Sequence, residues 1–187
     1  MTRTAIPGTG HDGIGRPSTA DGRKVSRDLR ISADPGIRRR RNVAALAMGS
    51  IASMGAVTAY QMGLLKHLPE PPLGAFDADK VDASGEAYFY LQAPDGSLGM
   101  LSYAATVLLA GMGNKSRATQ RPWLPLLLAA KVAVDAASSL YLTAEQASRH
   151  RRYCSWCLAA TGLTLAMVPQ VVPEARAAAR TLLERRA

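Results

Sequence analysis

From Val43 onward the chain alternates between long apolar stretches and short polar links, and the first stretch alone is long enough to cross a bilayer. Val43 to about Leu65 spans about 23 residues, more than the roughly 20 that a membrane helix needs at 1.5 Å rise per residue. Three more stretches follow: Leu98 to Gly113, Trp123 to Leu142 and Tyr153 to Val172. The second of the four, about 16 residues, must tilt, thin the bilayer or borrow flanking residues. Lipid offers the backbone no hydrogen bonds, so such stretches must be helical. The expected fold class is therefore all-α, an integral membrane four-helix bundle. A soluble four-helix bundle is the competing reading, but each of its helices would carry a polar face, and spans one, two and four show almost none. Tyr103, Trp123, Tyr141, Tyr153 and Trp156 lie near span ends, as an interfacial aromatic belt requires. Gly49, Ser50, Ala52, Ser53, Gly55 and Ala56 permit close helix contact in span one, although small residues are also simply tolerated in lipid.

Residues 1–42 are polar, rich in Arg, Gly, Pro, Asp and Ser, and without apolar periodicity, which reads as a disordered basic tail. They are too polar, and too long before the first apolar run, for an ordinary cleavable signal peptide. The chain's pI is near 10.1, yet its basic residues cluster in the tail and at span ends. This placement reads as topology determinants and contacts with anionic lipid. Nucleic acid is not the expected partner, because the Arg38–Arg41 run lacks interleaved aromatics and a recognisable module.

The tail holds ten Lys and Arg, the second connection Lys115, Arg117 and Arg121, and the C-terminus Arg176, Arg180, Arg185 and Arg186. The positive-inside rule puts all three on the cytoplasmic side. The first connection, residues 66–97, is acidic (Glu70, Asp77, Asp79, Asp82, Glu86, Asp95) and belongs outside. The third connection, with Arg149, Arg151 and Arg152, breaks the rule and is outvoted by the two termini. The expected product is a multi-pass protein of the cell membrane with both termini cytoplasmic. Residues 173–187 form a C-terminal tail that either makes a short amphipathic helix or frays.

The only two cysteines stand together as Cys154-Ser155-Trp156-Cys157 at the start of span four, at the extracytoplasmic face in this topology. Three-residue spacing puts both sulfurs on one helix face, and the free N–H groups of the first turn favour a thiolate. That is a redox arrangement, in a compartment that permits disulfides. Zinc is not expected, since a half-site needs two more ligands and His11, His67 and His150 are scattered. Two inert buried cysteines, or a chance C-x-x-C without chemistry, are the other readings.

Lys131 and Asp135 lie four residues apart within span three and can pair on one helical face. They form either a structural ion pair or a proton path to the site. Asp77, Asp79 and Asp82 read as a solvated surface, because the glycine and terminal glutamate of a calcium loop are missing. His67 reads as a surface residue.

These residues together resemble the vitamin K epoxide reductase family in its bacterial form, over roughly residues 43–172. The resemblance rests on Ser139-Leu140-Tyr141-Leu142-Thr143 ending span three and Tyr153-Cys154-Ser155-Trp156-Cys157-Leu158 opening span four. It also rests on Lys80-Val81-Asp82-Ala83-Ser84 in the outer connection, followed by Gly99 and Tyr103. It implies a four-helix bundle around a quinone of the menaquinone or ubiquinone class, with the outer loop as a cap. Cys157 would meet the quinone, and Cys154 would exchange with an extracytoplasmic, thioredoxin-like dithiol partner. Ser84, Trp156 and Thr161 are the candidate quinone-binding residues. Members typically carry a second cysteine pair in the outer loop. Here Ala78 stands where the nearer of those cysteines is expected, so the chain is limited to one internal disulfide.

Three classes of function follow from this reading. The first is a quinone-dependent thiol-disulfide oxidoreductase acting through Cys154 and Cys157. The second is a non-catalytic membrane scaffold that keeps the family fold. The third, a small transporter or channel prompted by Lys131 and Asp135, is disfavoured because the four spans show no inverted repeat.

Overall fold

A computed structural model describes residues 18–185 of the chain, and these are all-helical. Helix α1 covers Ala20–Ile31, α2 Pro35–Gln61, α3 Ala78–Asp82, α4 Asp95–Gly111, α5 Arg117–Gln120, α6 Trp123–Glu145 and α7 Ser155–Glu184. A 3₁₀ turn at Gly85–Tyr88 and a π turn at Gln146–His150 complete them. Three helical stretches are long and apolar enough to cross a membrane: Pro35–Gln61, Trp123–His150 and Ser155–Glu184. They fit a multi-pass membrane protein. Helix α4 has 17 residues, about 26 Å at 1.5 Å rise per residue, short of a roughly 30 Å hydrocarbon core.

Helix α2 packs along α4 and α7, and α6 packs along α7 and more lightly against α4. Val43, Ala47, Tyr103, Leu128, Val132 and Met167 form the core between them. The polar residues of the helices turn inward: Ser50, Thr106 and Thr164 are fully buried, while Met48, Leu101, Leu108, Val134 and Leu140 are exposed. Hydroxyls there bond to their own helix or to a neighbour, as Tyr103 Oη does with Thr164 Oγ1 at 2.8 Å. An apolar exterior around a hydrogen-bonded interior suits lipid rather than water.

Several expected boundaries move. The disordered tail expected over residues 1–42 falls partly on residues 1–17, which lie outside those described, whereas residues 20–31 and 35–42 are helical. Asp34 starts α2 by accepting the N–H of Gly36 at 2.8 Å and of Ile37 at 3.1 Å, with Pro35 in the first turn. Helix α1 is held by backbone contacts rather than apolar burial. Arg41 donates to the carbonyls of Leu29 (2.6 Å) and Asp28 (3.2 Å), and the Asp28 carboxylate accepts the Lys115 N–H at 3.3 Å. Arg40 is buried and donates to the carbonyls of Ala110, Met112, Gly113 and Asn114 at the end of α4. Arg40 and Arg41 thus bond within the fold. At the other terminus, helix α7 continues through Pro169 and Pro173 to Glu184, past the span end expected at Val172.

Helices α2 and α4 approach closely where α4 begins. A Cβ on Gly96 would lie 2.8 Å from Thr58 Oγ1 and 3.0 Å from both Gln61 Oε1 and the Thr58 backbone nitrogen. Backbone cannot swing aside, so Gly96→Ala is expected to lose about 1–3 kcal/mol through overpacking. The unfolding midpoint in detergent measures this, and an unchanged midpoint would show that the two helices part freely.

Candidate functional site

The end of the molecule where α2 and α6 finish and α4 and α7 begin carries both cysteines. Cys154 caps α7 in an extended conformation, and its Sγ accepts the Cys157 N–H at 3.2 Å. The two sulfurs therefore meet as cap and first turn, rather than side by side on a regular helix face. The π turn after α6 brings in Gln146, which is buried and accepts the Cys154 N–H through Oε1 at 3.1 Å. Such turns recur where a helix must aim a group at a site. Arg151, at φ 51°, ends the turn in the left-handed region, a strained conformation for a non-glycine residue. On the other side, Ser53 of α2 donates to the Trp156 carbonyl at 2.6 Å.

The connection between α2 and α4 folds over the cysteines. Phe76 and Tyr153 form a parallel bridge, with Asp77 N–H donating to Tyr153 O (3.0 Å) and Tyr153 N–H to Ala75 O (2.9 Å). Glu70 clamps the same junction: one carboxylate oxygen accepts the Ser155 N–H at 2.7 Å and the other accepts the Ala78 N–H. Trp156 Nε1 donates to Pro69 O at 2.9 Å. Under this cover Leu68, Ala78 and Val81 pack in one buried cluster with Cys154, which has no exposed surface. Ala78 is thus placed against Cys154, where a loop cysteine would have to stand to exchange with it.

Asp82 is the residue that sequence reasoning placed wrongly. Expected on a solvated surface, it is 2% exposed, and its Oδ1 accepts from Cys157 Sγ at 3.7 Å. Its Oδ2 is buried and has no hydrogen-bond partner among the described residues. Burial pushes the Asp82 carboxyl up to about 7, and nearby Asp95 adds to this, while hydrogen bonds with the cysteine sulfurs pull the other way. A signal was present in the sequence: Ala78, Val81 and Asp82 recur at three- and four-residue spacing, the buried face of a short helix. Asp77 and Asp79 are also engaged. Asp77 caps α3 through the Lys80 N–H at 3.0 Å, while Asp79 accepts the Leu68 N–H at 3.2 Å and pairs with His67.

Beside the cysteines opens a cavity of about 550 Å³, lined among others by Asp82, Ser84, Tyr103, Asp135, Cys157 and Thr161. Of the expected quinone-binding residues, Ser84 and Thr161 reach it, and Thr161 Oγ1 lies 3.3 Å from Thr143 Oγ1. Trp156 does not line it and instead pins the loop. Lys131 and Asp135 do pair, four residues apart, and both also bond Ser102 Oγ, at 2.7 and 2.9 Å. Asp135 alone of the two lines the cavity. Arg149, which strained the charge rule, pairs with Glu86 at 3.1 Å and Glu145 at 3.2 Å.

A buried two-cysteine turn at the head of a membrane-length helix, roofed by a loop and set beside a cavity, defines a membrane thiol protein. The model of the vitamin K epoxide reductase family matches residues 42–172, and the chain belongs to that family. Its members are in general membrane oxidoreductases acting on thiols. A search of curated proteins gives no match.

Proposed function

We propose that the chain is a quinone-dependent thiol-disulfide oxidoreductase whose working couple is Cys154–Cys157. The observation that carries this reading is the position of Cys157, with its sulfur at the wall of the cavity and its partner cysteine one turn behind it. The cavity suits a quinone head group. Its volume is within the roughly 300–1,000 Å³ of small-molecule sites, and its wall mixes apolar side chains such as Met54, Leu98 and Val134 with polar ones. Ser84 and Thr161 are the hydroxyls that would hold it. A quinone bound there supplies a two-electron, two-proton oxidant.

The chain's own part is then definite. As Cys154 and Cys157 join in a disulfide, they give up two electrons and two protons. Asp82, 3.7 Å from Cys157 Sγ, is placed to take the Cys157 thiol proton. Return to the dithiol needs an external dithiol of thioredoxin-like type. Its thiolate attacks Cys154, Cys157 leaves, and the partner's second thiol resolves the mixed disulfide. Since Cys154 has no exposed surface, the loop over it must lift for that exchange. In this reading helices α2, α4, α6 and α7 cross the membrane as a four-helix bundle, with both termini cytoplasmic and the cysteines at the extracytoplasmic face.

The test follows thiol content in purified, pre-reduced protein after addition of a menaquinone analogue. Both thiols should disappear, whereas the lone Cys154 thiol of Cys157→Ser should persist. Folded wild-type protein that loses thiol no faster than the variant would overturn the reading and leave a scaffold built on the family fold.

A further inference from the structure

The loop supplies what the two cysteines lacked for metal binding: a third ligand. Sulfurs of Cys154 and Cys157 and a carboxylate oxygen of Asp82 all lie within 4.8 Å of one another. Cys154 and Asp82 are buried, and Asp82 Oδ2 stands without a hydrogen-bond partner among the described residues. A buried carboxylate oxygen left unpaired beside two thiols is an arrangement that a cation completes. We propose that the reduced protein binds one thiophilic divalent cation of the zinc class through Cys154 Sγ, Cys157 Sγ and Asp82.

The dimensions agree with this assignment. Zinc takes thiolate sulfur at about 2.3 Å and carboxylate oxygen at about 2.0–2.2 Å, so tetrahedral ligand atoms sit about 3.5–3.8 Å apart. Drawing the three atoms in from within 4.8 Å needs movements of about 1 Å, which side-chain rotation supplies. Charge favours a cation as well, because two thiolates and a carboxylate carry three negative charges against the ion's two positive, and binding releases the two thiol protons. Asp82 and Cys157 both line the cavity, which gives the ion an entry path and leaves the fourth coordination position for water. The site exists only in the dithiol state, since a Cys154–Cys157 disulfide removes both sulfur ligands. Metal would therefore hold the pair reduced and close it to thiol exchange. This inference needs only two reduced cysteines and stands whether or not a quinone is the oxidant.

The experiment titrates Co²⁺, as a spectroscopic substitute for zinc, into the pre-reduced full chain in detergent without oxygen. Expected are one ion per chain, a thiolate-to-cobalt charge-transfer band displaced by Zn²⁺, and no band in the disulfide form. Hydrogen-bond partners outside the coordination sphere are worth about 10- to 100-fold in affinity, so removing the coordinating carboxylate by Asp82→Asn should weaken binding about a hundredfold. A second readout needs no variant: one equivalent of Zn²⁺ should protect both thiols of the wild-type chain from a small maleimide. Absence of the band, unprotected thiols, or equal affinity in a folded Asp82→Asn chain would each overturn the proposal.

Discussion

Replacing Glu70 with Gln is expected to speed alkylation of Cys154 about a hundredfold. Cys154 is sealed, with no exposed surface, so a reagent reaches it only when the loop opens, and the rate reports the open fraction. Glu70 uses both carboxylate oxygens across the seam, one on Ser155 N–H at 2.7 Å and the other on Ala78 N–H. Hydrogen bonds to a charged group contribute about 1.5–3 kcal/mol each. Glutamine keeps one acceptor and turns an N–H₂ toward a second backbone donor, so one bond is lost and a repulsion replaces it. A loss of about 3 kcal/mol corresponds to a factor of about a hundred in the opening equilibrium, since 1.4 kcal/mol is tenfold. The measurement is maleimide labelling in a Cys157→Ser background, where Cys154 is the sole thiol. An unchanged rate would mean that the Phe76–Tyr153 bridge and the Trp156–Pro69 bond hold the loop without Glu70. The same substitution should raise the rate of reduction by a bulky external dithiol, because the partner needs the same opening.

What was legible in the sequence was the part governed by long runs. The all-helical class and three of the expected spans follow from apolar length, and the thiol site from two cysteines placed together. The family was readable from the Tyr153–Leu158 segment and the Lys80–Ser84 loop. Helix α1 was not, because polar residues carry it and its ties are to distant backbone: Arg41 reaches Leu29 O, and Asp28 reaches the Lys115 N–H. No periodicity encodes a bond between residues that far apart. The capping signal Asp34-Pro35-Gly36 was present, and it alone moves the start of α2 ahead of the apolar run. Asp82 was misplaced for a related reason. Acids in a polar loop are solvated by default, and only the fold of residues 66–94 over the cysteines puts this one inside. The same folding gives Trp156 its role. Its place at the start of an apolar stretch and its indole N–H were both visible, but the acceptor, Pro69 O, belongs to a segment 87 residues earlier.

At the opposite end, Glu174→Gln is expected to remove about 3–5 kcal/mol of stability, a large part of the roughly 5–15 kcal/mol that holds a domain together. Arg117 is 1% exposed and forms a fork on Glu174, with Nε to Oε1 at 2.8 Å and Nη2 to Oε2 at 2.7 Å. Its remaining nitrogen Nη1 donates to the carbonyls of Leu109 and Met112, both at 2.8 Å. Leu109 and the four carbonyls bonded by Arg40, Met112 among them, lie at and just past the end of α4, which would otherwise leave acceptors unpaired. Glutamine removes the countercharge and leaves a buried guanidinium uncompensated, which is why one substitution weighs so much. The unfolding midpoint in detergent, measured against denaturant, reads the loss. Pairing Arg117→Met with Glu174→Leu should recover part of it, since an apolar pair can replace a buried ion pair at little penalty. Recovery stays partial because the Leu109 carbonyl loses its donor, while Met112 keeps the bond from Arg40. Full recovery would show that the end of α4 depends on Arg40 alone. No recovery at all would show that these carbonyls, rather than the charge pair, are what Arg117 secures.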